Sequence, residues 1–151
     1  MVSSFDGKKR TLLVMHDTMT STDDRVVDIF TKISHHRNIS MVYLTKISFK
    51  KNKQTRSLSL NSHYIFLFKN ARDATQVPNL ARQIYPGKNA FTIEAFKKAS
   101  SAPYGYLLID LKQETDNKLR LRTGVFPGDV QTFIFESNKE RVSRILTIIQ
   151  L

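Results

Sequence analysis

Two short β-type runs, Thr11-Leu12-Leu13-Val14-Met15 and Ile39-Ser40-Met41-Val42-Tyr43-Leu44-Thr45, flank one stretch of helical period, and few architectures accept that order. Between them, Val26, Val27, Ile29, Phe30 and Ile33 recur at helical spacing after a Ser/Thr/Asp-rich stretch in which Asp23 or Asp24 fits an N-cap. Strand, helix and strand within about 35 residues make a βαβ unit, which implies parallel strands and a right-handed crossover. The first run reads as a buried strand ending on the polar pair His16-Asp17. An α/β fold is therefore expected.

Beyond Thr45 the pattern dissolves, and Lys46 to Ser62 reads as a basic, polar loop containing Lys50, Lys51, Lys53 and Arg56. His63 to Phe68 is an aromatic and β-branched strand. A helix follows from about Thr75 to Tyr85, stopped by Pro86-Gly87. A second runs from Phe91 to Ala99, with Phe91, Ile93, Ala95 and Phe96 on its apolar side, and Pro103 breaks it. Tyr104 to Leu111 reads as a strand. After the polar turn Gln113 to Asn117, Leu119 to Val125 reads as an edge strand paired with it in an antiparallel hairpin. Val130 to Phe135 reads as one last strand, and Val142, Ile145, Leu146 and Ile149 fall at helical intervals.

At 151 residues the chain has the length of one domain, read as 1–151 with a flexible basic N-terminus over 1–10. It contains no cysteine, so disulfides, thiolate catalysis and cysteine-based zinc sites are excluded. No apolar run reaches the roughly 20 residues of a bilayer span and no apolar signal core follows the N-terminal lysines, so an intracellular chain with no membrane partner is expected. Charge is the more informative quantity. Lys plus Arg number 24 against 13 Asp plus Glu, a net +11. From Ile29 to Arg72 there are nine Lys or Arg, three His and no carboxylate. Such a stretch suits a polyanion, because basic groups displace the counterions of phosphate. Lys50, Lys51, Lys53 and Arg56 are the expected DNA contacts.

An apolar strand ending in carboxylates is one way nucleotide hydrolases hold magnesium, and Asp17 fits either that role or the start of a turn. The phosphate cradle is missing: no Gly-x-x-x-x-Gly-Lys-Ser/Thr run occurs and the five glycines are scattered. Adjacent on a helix, His35 and His36 would point about 100° apart, which favours a helix-end role over metal ligation, and no metal site is expected. No Gly-x-Ser-x-Gly elbow supports a hydrolase triad.

Several strings recur together in one family. They are Leu12-Leu13-Val14-Met15-His16-Asp17, Ser34-His35-His36-Arg37-Asn38-Ile39-Ser40, Val42-Tyr43-Leu44-Thr45, Leu58-Ser59-Leu60-Asn61-Ser62-His63-Tyr64, Leu67-Phe68-Lys69-Asn70-Ala71-Arg72-Asp73, Leu80-Ala81-Arg82-Gln83-Ile84-Tyr85-Pro86 and Pro103-Tyr104-Gly105-Tyr106. Over Thr11 to Gly128 the chain resembles the C-terminal half of the DNA-packaging ATPases of Polinton (Maverick) elements and adintovirus-like viruses, in the FtsK–HerA superfamily. The resemblance implies a partial RecA-like P-loop NTPase sheet, mostly parallel with flanking helices and a C-terminal antiparallel hairpin, without the Walker A half. It also implies a ring-forming motor that burns ATP with magnesium to drive double-stranded DNA into a capsid.

Within that resemblance Thr11 to Asp17 matches the Walker B strand, with His16 where the first acid stands. An imidazole serves magnesium poorly, since that hard cation prefers oxygen donors. Lys46 follows Thr45 where the family commonly has Gln, replacing a neutral amide with a mobile cation. Arg37 resembles the arginine finger offered to a neighbouring subunit, and fits a helix cap equally. Three expectations follow. One is a remnant that binds double-stranded DNA or a partner subunit, holds no cofactor by itself and does not hydrolyse ATP. Another is a fragment of a working motor whose P-loop lies on a separate segment. The third is a repurposed interaction module. Loss of the Walker A strands would leave a sheet edge exposed, which implies a homo-oligomer, a partner ATPase subunit or a rearranged sheet.

Overall fold

In a computed structural model of the chain, residues 9–16, 27–33, 38–45, 53–71, 75–137 and 145–146 are described. The chain divides into two compact units, Met1–Asn61 and Ser62–Leu151.

The first unit holds the expected parallel pair. β1 (Thr11–His16) and β2 (Ile39–Leu44) run parallel in a register that matches Thr11 with Ile39 and His16 with Leu44. Asn38 enters β2 at φ 55°, a left-handed conformation Asn accepts better than most residues, and its carbonyl accepts from the Thr11 N–H at 3.1 Å. Helical structure precedes β2, ending in the wide π-helical turn Ile29–Ile33; Asp23 and Asp24 lie outside the described residues.

Two expectations change in this unit. β1 is not buried on both faces: along both strands exposure alternates, leaving Leu12, Val14, Val42 and Leu44 in solvent while Ile39 is buried. Nor is Lys46 to Ser62 all loop. Helix α1 (Lys53–Leu60) occupies its second half. Lys, Gln, Arg and Leu are good helix formers, and burial of Leu58 and Ser59 supplies the tertiary support that a two-turn helix lacks alone.

The second unit is a five-stranded antiparallel sheet in the order β3-β4-β5-β6-β7, made of Tyr64–Phe68, Tyr106–Asp110, Leu121–Thr123, Thr132–Ile134 and Ile145–Leu146. Mixed α/β is thus the class, but the expectation of mostly parallel strands is corrected: in the described residues only the β1–β2 pairing is parallel. The hairpin of β4 and β5 forms as expected, with Leu108 opposite Arg122. Yet β5 is no edge, because β6 pairs on its far side, with Arg122 opposite Ile134. Its Leu/Arg alternation reflects a covered and a half-exposed face, with a neighbour on each side. Ile145 and Leu146 are a two-residue strand on β6, where their spacing predicts a helix, so pairing with the sheet overrides the helical interval.

Between β3 and β4 lie α2 (Gln76–Ile84) and α3 (Asn89–Ala99). Helix α2 buries Val77, Leu80 and Ala81 at i, i+3 and i+4. It ends before Gly87, whose φ of 82° suits glycine. On α3 the deepest residues are Thr92, Ala95 and Ala99, with the larger Phe91 and Phe96 only half-buried. These small side chains let α3 pack closely on α2, β4 and β5. The core is Leu80 with Leu107, Ile109 and Leu121, all essentially without solvent exposure.

Candidate nucleic-acid interface

The parallel register sets the geometry of the first unit's candidate residues. His16 and Leu44 are cross-strand partners at the C-terminal ends of β1 and β2, the end at which open α/β sheets bind ligands. His16 is exposed there. Asp17, Arg37, Lys46, Lys50 and Lys51, together with His35 and His36, lie outside the described residues. Lys53 opens α1 and Arg56 stands one turn later with an exposed side chain. Two of the four expected DNA contacts therefore sit on a helix rather than a loop.

The second unit carries a surface that the expected sites do not include. Period-2 alternation sends Ile65 and Leu67 of β3 to one face, and Leu67 is buried there. The opposite face presents Tyr64, Phe66 and Phe68, which remain 46 %, 39 % and 53 % exposed. Phe126, from the β5–β6 connection, lies on this face 5.2 Å from Phe66, with the two rings within 18° of parallel. Tyr106 is tilted against Phe66, Phe68 and Phe126 at 5.8, 5.8 and 5.0 Å.

Hydrogen bonds hold this cluster in place. The Tyr106 hydroxyl donates to Asp129 Oδ2 at 2.9 Å and accepts from the Val125 N–H at 2.7 Å, while the Phe126 N–H donates to the same carboxylate at 2.8 Å. Burial raises the Tyr106 pKa above the ordinary phenol value, so the hydroxyl stays a donor at neutral pH. Beside the rings, Asp110 is buried at the end of β4, opposite Tyr64. It accepts from Arg122 Nη2 at 2.6 Å, Thr115 Oγ1 at 3.0 Å and the Lys112 N–H at 3.2 Å. Lys112 Nζ stands 5.5 Å from the Tyr64 ring centroid and 3.3 Å from Glu114. Interaction with Tyr64, and then with Glu114, raises its pKa.

This face thus carries flat rings and, beside them, two carboxylates bonded within the chain, Asp110 by Arg122 and Thr115 and Asp129 by Tyr106. Among the described residues no three His, Asp or Glu side chains gather into a metal-holding group, and no helix is long and apolar enough to cross a membrane. The signal for the aromatic face is present as Tyr64-x-Phe66-x-Phe68. Alternation alone does not reveal it, because Ile65 and Leu67 are equally apolar. The chain matches no protein-family model, no curated protein and no solved structure.

Proposed function

We propose that the protein is a DNA-binding remnant of a packaging ATPase, acting on double-stranded DNA or a partner subunit without hydrolysing ATP by itself. The observation that carries this reading is the absence of any carboxylate from Ile29 to Arg72, a stretch that includes exposed Arg56 on α1. The parallel β1–β2 pair adds support, since it sets His16, which departs from the family pattern, opposite Leu44 at the end of β2. The resemblance assigns the missing phosphate cradle to a Walker A half, and magnesium has only Asp17 to replace the usual pair of acids. Nothing in this reading asks the chain to bind nucleotide.

The test titrates purified protein with magnesium-ATP and with a short DNA duplex at two salt concentrations. No ATPase activity and salt-sensitive duplex binding are expected, with affinity lost when Lys50, Lys51, Lys53 and Arg56 are changed together to Glu. Hydrolysis by the chain alone would refute the proposal, as would duplex affinity unchanged by those four substitutions.

One observation favours a second reading, in which the chain works beside a P-loop-bearing partner. Parallel sheets are ordinarily covered on both faces, yet Leu12, Val14, Val42 and Leu44 are exposed. A further layer packed there would complete the sheet, and Arg37 would serve the partner's nucleotide. Changing Val14 and Val42 to Lys should then abolish co-sedimentation with a separately supplied P-loop-bearing subunit; no co-sedimentation even before the change counts against this reading.

A further inference from the structure

The sheet of the second unit ends on two unlike edges. One is β7, only two residues long, and so short an edge is a poor template for pairing. The other is β3, five residues long, and among the described residues no strand pairs with its outer side. We infer that β3 is a dimer interface, at which two copies of this chain join antiparallel, edge to edge, into one continuous sheet. The inference does not rest on the packaging-ATPase resemblance.

Hydrogen bonding shows which groups this edge offers. Just beyond the ends of β4 and β3, the Leu111 N–H donates to the His63 carbonyl at 2.8 Å. Backbone direction alternates along an antiparallel strand, so Ile65 and Leu67, in step with His63, also turn their N–H and C=O groups toward β4. Those of Tyr64, Phe66 and Phe68 therefore face outward. The Asp110 N–H, opposite Tyr64, donates to the Arg120 carbonyl on the β5 side of β4, as this alternation requires.

The devices that usually blunt an edge are missing from β3. Its pairing with β4 runs one to one without a bulge, and the strand holds no charged residue, proline or glycine. Helix α3 packs on β4 and β5, the strands inside the edge.

Sequence selects a second copy as the occupant. Laid antiparallel against itself about Phe66, Tyr64-Ile65-Phe66-Leu67-Phe68 sets Phe66 opposite Phe66, Ile65 opposite Leu67 and Tyr64 opposite Phe68. In this register the outward-facing residues meet one another, and each pair exchanges both of its main-chain hydrogen bonds about a two-fold axis. Tyr64 and Phe68 are exposed, and each gains an aromatic ring as its cross-strand partner. Phe66, already stacked on Phe126, enters through its main chain. One step further out, His63 faces Lys69 of the second copy, and the exposed carboxylate of Glu114 stands close enough to His63 to interact with it. A cation is thus delivered where a carboxylate waits. A strand of unrelated sequence matches the hydrogen bonds but not this side-chain register.

Sedimentation velocity of the full chain, without nucleic acid or nucleotide, should show a reversible dimer. Tyr64→Lys with Phe68→Lys sets like charges opposite at both ends of the pairing and should raise the dimer dissociation constant at least about tenfold, as should Tyr64→Glu with Phe68→Glu. An equimolar mixture of the two variants, which sets Lys opposite Glu, should recover the dimer. Register is read with cysteine, which the chain lacks. Tyr64→Cys mixed with Phe68→Cys should crosslink on oxidation, since paired Cα atoms about 5.5 Å apart lie within disulfide reach. Either variant alone should not, because its like positions are offset by about 13 Å along the strands. Both positions are exposed, and circular dichroism should show an intact fold in every variant. A parent chain that sediments as a monomer at its highest soluble concentration would overturn the inference. So would a dimer that both charge variants leave intact, a mixture no more associated than its components, or crosslinking by one cysteine variant alone.

Discussion

Asp110 shows how much a single residue can organise. Its carboxylate is buried and receives Arg122, Thr115 and the Lys112 N–H at once, so removing it strands a mostly buried guanidinium and two further donors. Asp110→Ala should therefore cost about 3 kcal/mol, read as a lowered urea midpoint, because breaking a buried pair leaves an uncompensated charge. Asp110→Asn retains acceptors for Thr115 and Lys112 and should cost less. Two tyrosines make a pH prediction. Burial raises the pKa values of Tyr106 and Tyr85 above the usual phenol range. Their protons are held more tightly in the folded chain than in the unfolded one. That contribution is complete below the unfolded phenol value of about 10 and is lost as pH climbs through the folded values. The urea midpoint should fall as pH rises above about 10, and Tyr85→Phe should make the fall shallower. A slope identical in the variant would show that Tyr85 does not contribute.

At the scale of elements, β4 is the spine of the second unit. All five of its residues are buried, β3 and β5 pair on either side, and α3 packs against it. Ile109→Ala should destabilise by about 2–5 kcal/mol, whereas Leu12→Ala on the exposed face of β1 should stay within about 0.5 kcal/mol; chemical denaturation of the two variants makes the comparison. The β5–β6 connection makes a sharper demand on its backbone. Gly124 sits at φ 70°, where an added Cβ would run into the Gln131 carbonyl, and its own carbonyl accepts from Thr132 Oγ1 at 2.7 Å. Gly124→Ala should cost more than about 1 kcal/mol and loosen Phe126 over Phe66, visible as altered ring-proton shifts in NMR. The elements themselves are largely legible in the chain. Period and turn chemistry locate α2, the β4–β5 hairpin and the parallel pair. They fail for α1, whose polar sequence hides one buried turn at Leu58-Ser59, and for Ile145-Leu146, where two apolar residues at helical spacing join a sheet.

For the whole molecule, charge is the property that acts at longest range. With net charge +11, duplex affinity should fall linearly on a log–log plot against salt, and the quadruple Glu variant should give a slope shallower by about 0.9 for every phosphate it no longer neutralises. A slope near zero in the parent chain would remove the electrostatic basis of the proposed function. Charge, the missing phosphate cradle and the assignment of residues to alternate faces of each strand are local properties, and the order of amino acids determined them unaided. Which face is covered is not local. In Tyr64-Ile65-Phe66-Leu67-Phe68 both faces are apolar, and the tertiary packing, with α3 on β4 and β5 and α2 on α3, buried Leu67 and left the three rings partly outside. Strand neighbours were decided in the same way. β5 carries the pattern of an edge yet lies inside the sheet, because pairing depends on which distant segment, here β6, arrives to supply hydrogen bonds.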